Sequence, residues 1–337
     1  MTTLITPNFL VDYTTPPVFD DYRCVVNAAG AQVIFERAHY NSTTKKSGSV
    51  RLYLLTLGGD PAAPLFQEAI ADGTNRPDWF WGNAGTVTFD YVPKTGSKAI
   101  CVGMAESNGN GSKLFGSATS HRSYPTWFPD GVRLAVMNST NKVAPTLAIF
   151  DSSTKKTTAT DVQGSSLWSG MPSVNQTNPF LIAFAGQPQA WGAYDQDKNY
   201  IWVVDTSVSP PAPVPLEAGA SNQTGSFDGA FQGRAPWWSP DGAWVVFESN
   251  RASPPSSSNK NGKYAIFLYK YGGPGPAIQI TAPSYNCNHA KWFPNGFNGA
   301  PGPFELIVAA WQNGGATPPS GPYGLASLDL TPLNITF

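Results

Sequence analysis

Ala235-Pro-Trp-Trp-Ser-Pro-Asp-Gly242, followed at once by Ala243-Trp-Val-Val-Phe-Glu-Ser-Asn-Arg251, reads as a single hairpin. The proline of Pro-Asp-Gly presets φ, its glycine accepts a left-handed backbone, and a strand rich in β-branched and aromatic residues leaves the turn. The same pattern returns at Pro125–Gly131 before Val132–Met137 and at Ala290–Gly296 before Phe304–Trp311. Weaker copies are Pro77–Gly82 before Thr86–Tyr91, Cys24–Gly30 before Ala31–Glu36, and Pro172–Asn178 before Phe180–Phe184. Their turn anchors, Gly30, Asn83, Gly131, Asn178, Gly242 and Gly296, recur at intervals of 47 to 64 residues. Such a period is room for four strands and their loops, and it marks a repeat architecture.

Third strands follow at Arg51–Leu57, Ala99–Ala105, Thr146–Asp151, Tyr200–Asp205, Tyr264–Tyr271 and Gly324–Leu330. Short fourth strands follow at Pro64–Gln67, Lys155–Thr160, Val214–Glu217, Ala277–Thr281 and Leu333–Phe337. The expected fold is all-β: a six-bladed β-propeller of four-stranded antiparallel blades, one domain over 1–337, with residues 1–19 closing the ring along the last blade. Tryptophans are expected to fill the gaps between blades, because a blade cannot bury both faces alone.

Composition narrows the function. The chain has 33 Gly and 31 Pro in 337 residues and a formal net charge of −1, with no basic tract, so the electrostatic footprint of a nucleic-acid binder is missing. No run approaches the ~18 apolar residues of a membrane-spanning helix. The first residues show neither a basic start nor a long apolar segment, as in a secreted protein already trimmed of its leader. Six Asn-x-Ser/Thr sequons, at Asn41, Asn110, Asn138, Asn175, Asn222 and Asn334, mildly favour secretion. Cys24, Cys101 and Cys287 are too few for a disulfide scaffold. They read as small buried hydrophobes, or alternatively Cys24 and Cys287 bridge the first and last blades.

With these hairpins, and with third strands ending in Asp as at Ile149-Phe-Asp151 and Val203-Val-Asp205, the chain resembles the TolB-like propeller superfamily. That resemblance covers nearly the whole chain and implies a fold. Members include protein-interaction modules, sugar lyases and the propeller halves of serine peptidases. Blades 1 and 4 lack the Trp and the Pro-Asp-Gly. In its low charge, its richness in Thr, Ser, Asn and Pro, its sequons and its six blades, the chain is also similar to secreted fungal propellers that act as hetero-Diels–Alderases in tropolonic sesquiterpenoid pathways.

Loops entering the inner strands of a propeller gather at one mouth of its channel, the default ligand site. Counting back from each anchor puts Asp20, Asp21 and Arg23, then Arg76, then His121, Arg122 and Tyr124, then Trp168, then Gln232 and Arg234, then Tyr285, Asn286 and His289 at that mouth. Arg76, His121, Arg122, Arg234 and His289 are the catalytic candidates. Asp20, Arg23, Tyr124, Trp168, Trp191, Gln232, Tyr285 and Asn286 are the substrate-binding candidates. The alternative for the arginines is that they clamp neighbouring loops through carboxylates such as Asp20 and Asp228. Loops after the second strands add His39, Tyr40, Tyr91, Gln189, Trp191 and Tyr194, either as an aromatic wall or folded back on the blades.

Other chemistries lack their motifs. There is no Gly-x-Ser-x-Gly elbow and no phosphate-cradling glycine loop. Asp195-Gln-Asp197-Lys-Asn199 begins like a calcium loop but has Tyr200 where the glycine belongs, and reads as a solvated loop. Neither a metal nor a cofactor is expected. The leading functional reading is a cofactor-free enzyme that holds a reactive small organic molecule and guides a cyclisation such as a hetero-Diels–Alder cycloaddition. The alternatives are a carbohydrate- or protein-binding module and a polysaccharide lyase using His121, Arg122, Arg234 and His289.

Overall fold

In the computed structural model the described residues are 4–11, 13, 18–41, 43–44, 46–66, 71–82, 85–95, 99–116, 121–139, 144–164, 166–217, 219–220, 227–256, 262–294, 305–312 and 322–333. The anchors Asn83 and Gly296 lie outside them, as do the sequons at Asn222 and Asn334. The strands form six antiparallel sheets. From the channel outward, blade 1 is Phe19–Val26, Gln32–Asn41, Arg51–Thr56 and Ala63–Pro64, with Lys46–Ser47 paired antiparallel to the end of its second strand. Blade 2 is Gly73–Trp79, Thr86–Val92, Cys101–Glu106 and Lys113–Phe115. Blade 3 is His121–Trp127, Arg133–Ser139, Thr146–Asp151 and Lys156–Thr160. Blade 4 is Leu167–Val174, Leu181–Pro188, Tyr200–Asp205 and Val214–Pro215. Blade 5 is Arg234–Trp238, Trp244–Ser249, Ala265–Lys270 and Ile278–Gln279.

Blade 6 corrects the expected strand list. Asn288–Trp292, Glu305–Trp311 and Tyr323–Asp329 are completed by Asn8–Phe9, which pairs with Ser327 and Ala326. The segment expected to be the fourth strand starts instead as the 3-10 turn Thr331–Leu333, and 334–337 lie outside the described residues. The start of the chain therefore supplies the last strand and clasps the ring. Tyr13 secures the clasp: its hydroxyl donates to Asp21 Oδ2 at 2.6 Å and accepts from the Leu325 N–H at 2.9 Å, while its ring lies over Gly324, where a Cβ would come within 2.5 Å of it. Asp21 is fully buried and also takes a two-pronged bond from Arg37, at 2.7 and 2.6 Å.

The hairpin turns work as their residues dictate. Gly131 and Gly242 stand at φ of 66° and 73°, and the Asp130 and Asp241 carboxylates accept the first amides of the strands that follow. Blade 4 reaches the same end by different means. Asn175 Oδ1 accepts from the Thr177 and Asn178 amides, and its Nδ2 donates to the Gly242 carbonyl of the next blade at 3.1 Å. This sequon asparagine is buried, and its amide nitrogen is already committed.

Trp79, Trp127, Trp238 and Trp292 occupy one register position in blades 2, 3, 5 and 6, and all are at most 2% exposed. Burying each ring contributes on the order of 2–3 kcal/mol. Val26 and Val174 hold that position in the two blades whose sequence copies are weakest. All three cysteines are free and buried. Cys24 follows and Cys287 precedes equivalent inner-strand residues, Arg23 and His289, so the two are three residues out of step. That is about 10 Å along a strand, too far to bridge.

Replacing Tyr13 by Phe leaves the Leu325 amide without its acceptor and takes one of two donors from Asp21 Oδ2, which keeps Arg37. We expect a loss of about 2–4 kcal/mol in urea-induced unfolding, and a loss under about 0.5 kcal/mol would show that the clasp is held elsewhere.

Candidate functional site

Each inner strand breaks register once against the second strand of its blade: between Tyr22 and Val25, Asn75 and Asp78, Ser123 and Thr126, Gly170 and Ser173, Arg234 and Trp237, and Asn288 and Lys291. At every break one residue turns left-handed. These are Arg23, Arg76, Tyr124, Met171, Ala235 and His289, with φ between 37° and 52°. None is glycine, so each costs on the order of 1–3 kcal/mol. Proline follows four of them, at Pro77, Pro125, Pro172 and Pro236. A residue without an N–H suits a bulge on the strand that edges the channel.

Carboxylates on the second strands hold half of this ring. Glu36 accepts the guanidinium of Arg23 at 2.9 Å and, across the blade boundary, the Arg76 backbone N–H at 2.7 Å. Asp90 repeats the motif with the Arg76 guanidinium at 2.9 Å and the Tyr124 N–H at 3.1 Å. Glu248 does so again with the Arg234 guanidinium and, at 2.5 Å, the His289 N–H. In blades 3, 4 and 6 the corresponding second-strand positions are Met137, Ala185 and Ala309. Met137 packs instead against Gly170, where a Cβ would lie 2.7 Å from its sulfur.

All six left-handed residues line one cavity of about 450 Å³, a volume that includes its opening to solvent. Its wall is divided. Arg23, Arg76, Tyr124, His289 and Lys291 form a polar arc, and Met171, Pro172, Ala235, Pro236 and Trp237 form an apolar arc. The Arg76 guanidinium sits 4.3 Å from the Tyr124 ring centroid. The Nε atoms of Arg23 and Arg76 are buried without a partner.

This wiring sets proton affinities. Burial would raise the Tyr124 phenol, but Arg76 and Arg23 outweigh it, and the phenol ionises below its ordinary range. Burial, seconded by Arg23, Arg234, Lys291 and Arg76, pushes His289 well below the ordinary imidazole range, so it is neutral at pH 7. A neutral imidazole among cations and an acidified phenol are groups that donate or accept a hydrogen bond without acid or alkaline conditions.

The structure brings Arg23, Arg76, Tyr124 and His289 together and separates the other candidates from them. Arg234 stands one residue before the ring, under the Tyr264 face at 3.8 Å, and bonds Glu248, Asp197 and Asn288. Arg122 stands two residues before the ring, lies against Phe150 at 5.0 Å, and is not among the cavity lining. His121 accepts the Ile100 N–H on Nδ1 at 3.0 Å. Gln232 is buried and accepts the Asn250 N–H; Asn286 bonds the Tyr264 amide and the Tyr323 hydroxyl. Asp20 accepts the Tyr323 N–H and the Ser47 hydroxyl. Tyr285 packs on the core between blades 5 and 6. Trp168 donates to the Gly192 carbonyl at 3.1 Å, and Trp191 packs on Tyr200 and Phe227. The loop aromatics thus fold back on their blades, as Tyr91, buried in the core, and His39, packed on Phe19, also do.

The segment read as a solvated loop is a strut. Asp197 Oδ1 accepts from the Tyr264 hydroxyl at 2.6 Å and from Arg234 at 3.2 Å. Among the described residues no group of His, Cys, Asp and Glu is placed to hold a metal ion.

Solved structures share this architecture. The chain matches a putative TolB from Agrobacterium tumefaciens with a TM-score of 0.58 at 15% identity, covering 93% of this chain and 91% of that one. TolB from Acinetobacter baumannii gives a TM-score of 0.55 at 13% identity, covering 95% of this chain and 65% of that one. A luciferin-regenerating enzyme gives 0.57 at 10% identity, covering 96% and 94%. The chain has the TolB-like six-bladed propeller fold, and at these identities the likeness is one of fold. A scan of protein-family models and a search of curated proteins return no match.

A spectroscopic titration tests the wiring. Burial raises Tyr22, Tyr194, Tyr200, Tyr264 and Tyr323, so the first phenolate to form on raising the pH is expected to be that of Tyr124. Tyr124→Phe should delete that first step and Arg76→Gln should move it to higher pH; an unaltered first step in Tyr124→Phe contradicts the assignment.

Proposed function

We propose that the axial cavity binds a small, largely apolar organic molecule bearing a carbonyl or oxyanion acceptor, and that the protein is a cofactor-independent enzyme guiding its cyclisation. The observation that carries this reading is the divided wall, with guanidinium and phenol donors facing Met171, Ala235, prolines and Trp237 across one cavity. In its most specific form the reaction is a hetero-Diels–Alder cycloaddition. The oxygen of the heterodiene takes hydrogen bonds from the polar arc, which lowers its vacant orbital, while the apolar arc holds the alkene over the diene. One C–C and one C–O bond form as three π bonds become one. No proton, electron or leaving group departs, so the residues need only position and polarise. Secretion belongs to the same proposal, supported by the exposed sequon at Asn110.

The lyase alternative draws less support, because His121 and Arg122 do not line the cavity that holds His289. The binding-module alternative fits a ring of five residue types at six positions poorly, since a multivalent lectin presents equivalent sites.

The test is an ortho-quinone methide generated in the presence of a cyclic terpene alkene, with and without protein. We expect a faster reaction or a shifted adduct ratio, an at least tenfold weaker effect with Tyr124→Phe, and no effect with Met171→Trp, which fills the cavity. Adduct rates and ratios indifferent to the protein would overturn the reading.

A further inference from the structure

Two residues beyond each left-handed residue the inner strands carry a second ring of side chains: Val25, Asp78, Thr126, Ser173, Trp237 and Lys291. Where this ring is polar and uncharged or acidic, it joins blades. Asp78 Oδ2 accepts the Trp127 N–H at 2.9 Å, and Ser173 Oγ accepts the Trp238 N–H at 3.2 Å. A lysine has no acceptor and cannot make that joint. Lys291 is the one cation of the ring, and its side chain does something else.

It lies over the face of Trp237, with Nζ 2.8 Å from the ring centroid, and it lines the axial cavity beside His289 and Arg23. Among the described residues no ion pair includes it. The acid that acts on it most strongly, Asp78, already spends its two oxygens on the amides of Trp79 and Trp127. An ammonium that is desolvated and has no carboxylate paired to it loses much of its advantage over the free amine, more than the Trp237 face, which favours the cation, returns. Burial outweighs Asp78, Cys24 and Glu248 and brings this amine down to about 7.

We infer that Lys291 is a carbonyl-capturing amine, a nucleophile at the floor of the channel that forms imines with small aldehydes admitted to the cavity. The Nζ lone pair attacks the carbonyl carbon and a C–N bond forms. The C=O π electrons move to oxygen, which takes a proton from nitrogen to give a carbinolamine. Loss of that hydroxyl with one further proton, as water, leaves the C=N bond. Amine and aldehyde are thus converted to imine and water with no change of oxidation state. The inference does not depend on the cycloaddition, since it needs only a neutral amine that an aldehyde can reach.

Reductive methylation reads it directly. The native protein is treated at pH 7 with limiting formaldehyde and cyanoborohydride, which supplies the hydride that traps each imine as a methylated amine, and labelling is followed by peptide mass mapping. The exposed Lys113, Lys155 and Lys156 are internal references in the same folded molecule. An ordinary lysine is neutral at about one part in two thousand at pH 7. Lys291 is expected to be methylated at least tenfold faster than the three references, and Lys291→Met to lose that fast site while the others keep their rates. Lys291 labelled no faster than Lys113, Lys155 and Lys156 would overturn the inference, whatever the outcome of the cycloaddition assay.

Discussion

A buried carboxylate accepting the amide of a left-handed residue in the next blade is the interaction on which the channel depends. Glu36, Asp90 and Glu248 each bind a guanidinium on one side and an inter-blade N–H on the other. A hydrogen bond to a charged group is worth about 1.5–3 kcal/mol, the same order as the strain of a left-handed side-chain-bearing residue. At Arg76, Tyr124 and His289 the bond therefore offsets the strain of the bulge, whereas Arg23, Met171 and Ala235 hold the same conformation without an acceptor from the preceding blade. The same carboxylates keep the arginines charged in a buried setting, because an unpaired guanidinium there would be far more costly.

At five of its six positions the character of the cavity wall follows from which second strand of the preceding blade carries an acid. Behind Arg76, Tyr124 and His289 stand Glu36, Asp90 and Glu248. On the second strands of the blades preceding Met171 and Ala235 stand Met137 and Ala185. The three stitched boundaries bring Arg76, Tyr124 and His289 to the axis; of the three without an acid, two bring Met171 and Ala235 and the third brings Arg23, held by Glu36 of its own blade. Chemistry at the axis is thus selected one layer out, by residues that never meet a ligand.

Much of the fold could be read in the sequence because its turns are local. Pro-Asp-Gly at Pro129–Gly131 and Pro240–Gly242 needs no partner from elsewhere in the chain to declare a hairpin. The last blade was less legible, since a strand of two residues, Asn8–Phe9, has too little pattern to announce itself, and its pairing with Ser327 and Ala326 spans the whole chain. For the site, Arg76, Tyr124 and His289 came from counting back to strand starts, but counting cannot see a bulge. It set Arg122 and Arg234 level with Arg23 and Arg76, although the breaks in register put them two and one residues earlier. The signal that locates the bulge is present in Arg76-Pro77, Tyr124-Pro125, Met171-Pro172 and Ala235-Pro236, four copies of a residue followed by proline two or three residues before a tryptophan or valine. Lys291 escaped notice because its meaning lies in the Trp237 ring of another blade.

Amide hydrogen exchange at single residues separates the stitches most directly. In the native protein the Arg76 and Tyr124 amides should exchange as slowly as the core. Glu36→Ala should release the Arg76 amide and leave that of Tyr124 protected, and Asp90→Ala should do the reverse. Protection of both amides unchanged in both variants would contradict the account of what holds the channel.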